Sequence, residues 1–179
     1  MSFNSNTGGR GRYSAARVAF MGLLFALAMV FSFIEGMIPA FLPAGIRLGL
    51  SNIVTMYCLF FLGWNSAYTL AILKALFVLL TRGPIASAMS LAGGRCAVTV
   101  MIILTKPKKL NLSYMVLSIG GAVSHNIGQL IMAYFLINSS FVYYYIPVMV
   151  ISGAVMGTVT SMVLRIVLPY INKLKVSLK

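Results

Sequence analysis

Apolar residues run through this chain in six long stretches, separated by short breaks rich in polar residues, glycine or proline. The stretches are Ala15–Met37, Leu48–Leu62, Ser66–Leu80, Ile85–Thr105, Leu112–Ile137 and Tyr143–Leu168. About 20 consecutive apolar residues are needed for a helix to cross a bilayer. The pattern therefore predicts an all-α, polytopic membrane protein, a bundle of six transmembrane helices in one domain. The second and third stretches are short by this measure. They are either part-spans or helices held inside the bundle.

Composition strengthens the membrane reading. Of 179 residues, 60% are hydrophobic and only 8% are charged, whereas a soluble domain carries about 25% charged residues. Fourteen Lys and Arg face a single acid, Glu35, which gives a formal net charge of +13. In a soluble protein that imbalance would suggest nucleic acid. Here the basic residues sit mostly at the ends of apolar runs, with no basic patch interleaved with exposed aromatics. Arg10, Arg12 and Arg17 precede the first stretch, Lys106, Lys108 and Lys109 fill the break before the fifth, and Arg165, Lys173, Lys175 and Lys179 close the sixth. With six spans all three clusters fall on one side, so the positive-inside rule predicts cytoplasmic termini. Residues 1–14 read as a disordered basic tail, 15–172 as the membrane domain and 173–179 as a second basic tail. Phe141–Tyr145 suits an outer aromatic belt.

Small residues four apart mark faces where helices approach closely. Ala15, Ala19, Gly22 and Ala26 form the longest such stripe. Gly153 with Gly157, and Gly121 with Ser124 and Gly128, form others. Packing within the chain and docking onto another membrane protein are both open for each, and the first stretch is the best docking candidate.

The polar residues left over carry the candidate chemistry. Arg47 and Arg82 fall near the outer face, Lys74 and Arg95 inside spans three and four, and Glu35 near the outer end of span one. Asn52 lies in span two, and His125, Asn126 and Gln129 in span five. Charges within spans are costly and face a cavity or a partner. One carboxylate cannot neutralise four cations. Glu35 is assigned to one arginine, Arg47 or Arg82. Two accounts then compete for the rest. Lys74 and Arg82 have stems long enough to snorkel to an interface. Arg95 has less room to escape, and Gly93 and Gly94 before it let backbone and ligand come close. Arginine's planar fork binds phosphate or carboxylate in two places, so the second account places an anion against Arg95 with Arg82 or Lys74. His125 and Gln129 share a helix face one turn apart. They serve as packing, as ligand contacts or as a proton relay.

Several chemistries lack their parts. There is no phosphate-binding G-x-x-x-x-G-K-[ST] loop, and no Asp to hold magnesium and diphosphate. No second His or ligand-spaced Cys pair accompanies His125, so no metal or other cofactor is predicted. Cys58 and Cys96 read as packing residues. The chain is read as a binding or translocating protein, not an enzyme.

Four stretches in order, Gly45–Thr55 (GIRLGLSNIVT), Ser90–Val98 (SLAGGRCAV), Gly121–Leu130 (GAVSHNIGQL) and Pro147–Thr160 (PVMVISGAVMGTVT), resemble the Gx transporter family, whose members are often labelled heptaprenyl diphosphate synthase component I. That family in turn resembles the substrate-binding S-components of energy-coupling-factor (ECF) transporters. The resemblance implies a six-helix protein of a bacterial cell membrane that holds a vitamin-like solute near the outer face. It also implies docking through Ala15, Ala19, Gly22 and Ala26 onto a membrane coupling subunit bearing two ATPases, with residues 39–47 as a gate above the solute. A self-sufficient proton-coupled carrier and a membrane accessory of isoprenoid synthesis remain as alternatives. The second of these would act through Lys106–Lys109 and the basic C-terminus.

Overall fold

Two glycines fold the middle of the chain into tightly connected helices. Gly63 (φ 94°) is the single residue between α2 (Asn52–Leu62) and α3 (Trp64–Arg82), and Gly83 (φ 88°) is the single residue between α3 and α4 (Pro84–Thr105). Side chains rarely tolerate these backbone angles. Pro84 then opens α4 at a first-turn position where its missing N–H is not needed. The remaining elements are α1 (Ala15–Met37), α5 (Tyr114–Ile137), a 3₁₀ segment (Ser140–Tyr145) and α6 (Ile146–Ser177). Ser113 caps α5 by accepting from the Met115 N–H, and Asn138 ends it in the left-handed region. This computed structural model describes residues 15–37, 51–105, 113–138 and 140–177, with side chains near the ends of α1 and α6 set aside.

The fold is the predicted all-helical bundle of six helices. Four helical segments are long and apolar enough to cross a membrane: Trp64–Arg82, Pro84–Thr105, Tyr114–Ile137 and Val142–Ile166. The third stretch, which the sequence left short, is thus a full-length apolar helix extended at both ends. The second stays short. At 1.5 Å per residue, the 11 residues of α2 rise only about 16 Å. Its position explains how it tolerates this. Every residue from Asn52 to Leu59 is buried, and α2 packs against all five other helices. It is a central strut rather than a lipid-facing span. Around it, α3, α4, α5 and α6 pack in chain order, and α1 leans on α2 and α3.

Small residues let the outer helices close on one another. A Cβ on Gly157 would come within 2.5 Å of the Ile119 Cα, and one on Gly153 within 2.9 Å of the Val123 Cα. Gly128 similarly faces Cys96 and the Ala92 carbonyl, and Gly121 faces Met101. These two stripes therefore serve packing inside the chain. Backbone cannot retreat as a flexible side chain can. Gly157→Ala is expected to destabilise the protein by about 1–3 kcal/mol, read as a lower midpoint of thermal unfolding in detergent. Gly121→Ala, which meets only the mobile end of Met101, is expected to lose less.

Candidate functional site

Helical geometry decides which polar residues meet. On α3 the buried positions are Ala67, Leu70, Ala71, Lys74, Ala75 and Val78. Their spacing follows one helix face, and Lys74 lies in its middle. It is only 2% exposed, so its ammonium does not snorkel to the surface. It acts electrostatically on the ring of His125, which is itself 3% exposed on α5. One turn along α5, Gln129 is 4% exposed and its Nε2 lies 3.0 Å from His125 Nε2. The Gln129 amide N–H donates and the His125 Nε2 accepts, which leaves the ring proton on Nδ1.

Gly93 makes this arrangement possible. A Cβ there would lie 2.8 Å from the Gln129 Cγ and from the His125 carbonyl, and 3.0 Å from the His125 Cε1. The histidine ring therefore lies against bare α4 backbone. Gly94 performs the same service for α3, where its Cβ would meet that of Ala71 at 3.2 Å. The glycine pair admits two neighbouring helices. This corrects the expectation that it opens space for a ligand beside Arg95.

Arg95 itself is exposed on the outer surface of the bundle. It follows Gly93 by two residues, about 200° around the helix. If Gly93 faces α5, Arg95 must leave on the opposite side. The sequence expected Arg95 inside and left Lys74 open between a buried site and an interface; Lys74 is the buried one and Arg95 lies outside. A bare guanidinium in mid-bilayer costs about 2.5–3.5 kcal/mol on insertion scales, so its surroundings matter, and they are taken up below.

The other expected site residues divide similarly. Arg82 is half-buried and donates to the Ser32 carbonyl on α1, a tie between α1 and α3. Asn126 is 1% exposed but faces α6, not His125. Its Nδ2 donates to the Met149 carbonyl at 2.8 Å and to the Ser152 Oγ at 3.2 Å. Asn126 is thus a brace between α5 and α6. Asn126→Ala is expected to cost about 0.5–2 kcal/mol of stability while leaving solute affinity unchanged, which thermal unfolding and a binding titration would separate. Asn52 is 5% exposed on α2. Glu35's side chain and Arg47 lie outside the described residues, as does the proposed gate before Asn52.

Buried polar groups nearly always find partners. Among the described residues, His125 Nδ1, Asn52 Oδ1, Thr55 Oγ1, Tyr57 OH and Asn126 Oδ1 find no hydrogen-bond partner. On the α4 side the His125 ring meets the Gly93 backbone. Thr55 was not singled out from the sequence. Its signal was there, because Asn52 and Thr55 are three apart on a helix that is otherwise almost wholly apolar. Lys74, His125 and Gln129 together combine one buried cation with neutral donors and acceptors. This set suits an anion with additional hydrogen-bonding groups. No group of His, Cys, Asp and Glu able to hold a metal occurs among the described residues.

On α1, Ala19, Gly22 and Ala26 all face outward. A Cβ on Gly22 would meet nothing within 4 Å, unlike every other described glycine within a helix. Gly22 lines an open groove of about 410 Å³ between α1 and α3, with Val18, Met21, Phe25, Asn65, Ser66, Thr69 and Leu73. Among the described residues, nothing packs against this part of the small stripe on α1. The side chain of Ala15 lies outside the described residues.

Residues 24–167 match the sequence profile of the family described as heptaprenyl diphosphate synthase component I. The chain belongs to that family. Its fold is similar to that of a solved protein reported as the S component of a bacterial ECF transporter. The TM-score is 0.72 at 24% identity, covering 87% of this chain and 97% of the other. No curated protein matches the chain. The family and fold expected from the sequence are therefore both shown.

Proposed function

We propose that this family member is the solute-capturing membrane subunit of a transport system, built like an S component. It takes a small anionic organic solute, of vitamin or isoprenoid-precursor size, and works with a separate energising module. The observation that carries this reading is Lys74. A lysine 2% exposed, set beside a buried histidine whose Nδ1 makes no hydrogen bond, is a recognition device for a negative group. Lys74 would receive the anion, and His125, Gln129 and Asn52 would supply neutral hydrogen bonds. The outward stripe Ala19, Gly22 and Ala26 supports docking of α1 on the module. In the expected orientation, with both termini in the cytoplasm, α3 would run from the cytoplasmic to the outer side with Lys74 near mid-span.

The family's description favours a second reading, a membrane accessory of heptaprenyl diphosphate synthesis. The chain has no Asp with which to bind magnesium and ionise an allylic diphosphate, so its part there would be to hold or carry an isoprenoid. Native mass spectrometry of the protein, gently extracted from its own membranes, tests both. A co-purifying small anion supports capture, and its mass separates a vitamin-like solute from an isoprenoid diphosphate. A protein that comes out empty, and stays empty when offered extracts of growth medium and cells, overturns the capture reading.

A further inference from the structure

Arg95 is an exposed cation in the worst place for one. It lies about midway along the 22 residues of α4, roughly 15 Å from either end. The apolar core of a bilayer is about 30 Å thick. Its Cα therefore sits near the middle, farther from either headgroup layer than an arginine stem reaches. Among the described residues its guanidinium has no hydrogen bond and no ion pair; only its backbone carbonyl is engaged, accepting from the Thr99 Oγ at 2.8 Å. The chain's one acid, Glu35, belongs to the far part of α1.

The surface around Arg95 is also too polar for lipid. Thr99 is exposed one turn along α4, and its Oγ lies 2.7 Å from the Tyr68 hydroxyl across the α3–α4 seam. Asn65 and Thr69 are exposed on α3 and line the groove whose other wall is α1 with Gly22. Polar side chains thus run from Arg95 across α3 to the small-residue face. Other outward faces are apolar: Ile127, Ile131 and Phe135 on α5, and Ile151, Val155 and Met162 on α6.

We infer that this face is an interface with a transmembrane helix of another protein, and that the helix carries an Asp or Glu at mid-bilayer depth that pairs with Arg95. Charge complementarity selects the occupant. The chain has cations in excess and cannot supply the acid, a phospholipid phosphate does not descend to this depth, and a buried Arg–carboxylate pair removes the penalty of both charges. Tyr68, Thr99, Asn65 and Thr69 add hydrogen-bonding groups along the same contact. The inference rests on the reading that the chain works with a membrane partner, and it adds the electrostatic anchor that would set the partner's register on α4.

The test places a photo-crosslinking residue at Ile103, exposed near Thr99, with a control at Ile151 on α6. Both variants are irradiated in native membranes and the crosslinked peptide is sequenced. The expected product is a transmembrane peptide of a second protein with an acid at mid-depth. Arg95→Glu should then reduce co-purification of that protein by roughly tenfold or more, and exchanging its acid for Arg should restore it. Crosslinking to phospholipid, to a second copy of this chain or to a helix without an acid overturns the inference, as does a yield no higher than at Ile151 or failure of the charge exchange. Failure of this kind leaves solute capture untouched, because Arg95→Glu lies on the outside of α4. Loss of capture in the same variant would instead fault the separation of the two sites.

Discussion

Lys74→Met is expected to empty the proposed solute site. Methionine fills nearly the same volume and carries no charge, so the substitution removes the ammonium and little else. Truncating one partner of a buried, hydrogen-bonded charge pair costs about 2–5 kcal/mol, which corresponds to roughly a 30- to several-thousand-fold loss of affinity. In native mass spectrometry the co-purifying anion should vanish. The stability of the empty protein should move the other way or not at all, because replacing a buried charge with an apolar side chain of similar size is often neutral or stabilising. The paired readout is what makes the prediction sharp. Lost capture with an unchanged or raised unfolding midpoint marks a binding residue. Retained capture, or a collapse of the fold, marks a structural lysine and removes the main support for an anionic solute. Lys74→Arg is not expected to rescue, because the planar guanidinium needs room that a 2% exposed position lacks. Arg95→Met is expected to keep the solute, which sets the buried Lys74 directly against the exposed Arg95.

The outward place of Arg95 shows where the sequence was legible and where it was not. Helices, their order and the family were readable because apolar periodicity and the motif GAVSHNIGQL are local properties of the chain. The ends of α1 coincide with the apolar stretch that predicted it. The core position of α2 was half legible: its shortness was visible, but its contact with five neighbours was not. The direction of a single charged side chain is a matter of phase. Lys74 belongs to the series Ala67, Leu70, Ala71, Ala75 and Val78, which was present in the sequence as a small-residue face and points inward. Arg95 was judged by its depth along α4, which says nothing about the side from which it leaves. The phase was set by Gly93 and Gly94, and their role depends on which helices press against them. Asn126 illustrates the same limit. It neighbours His125 in the chain, yet a 100° step carries it to a different helix, α6.

Gly22→Leu is expected to separate this protein from the proposed energising module while sparing capture. Ala19, Gly22 and Ala26 face out of the bundle along α1, and a Cβ at position 22 would meet nothing within 4 Å among the described residues. A leucine there has the open groove beside α3 to enter, so the unfolding midpoint and the solute affinity should both hold. Anything that packs closely on α1 meets the whole side chain. Interfaces between membrane helices depend on small residues that let backbones approach, and overpacking such a contact costs about 1–3 kcal/mol. That is roughly a 5- to 150-fold weakening of the complex, enough to remove the module from a pull-down and to stop uptake in cells. Gly157→Ala supplies the contrast, since its loss is one of stability, set by backbone 2.5 Å away within the same chain. Should Gly22→Leu retain the module and full uptake, α1 would not be the docking helix. Uptake by liposomes holding this chain alone, driven by a pH gradient, would go further and replace the coupled system with a self-sufficient carrier.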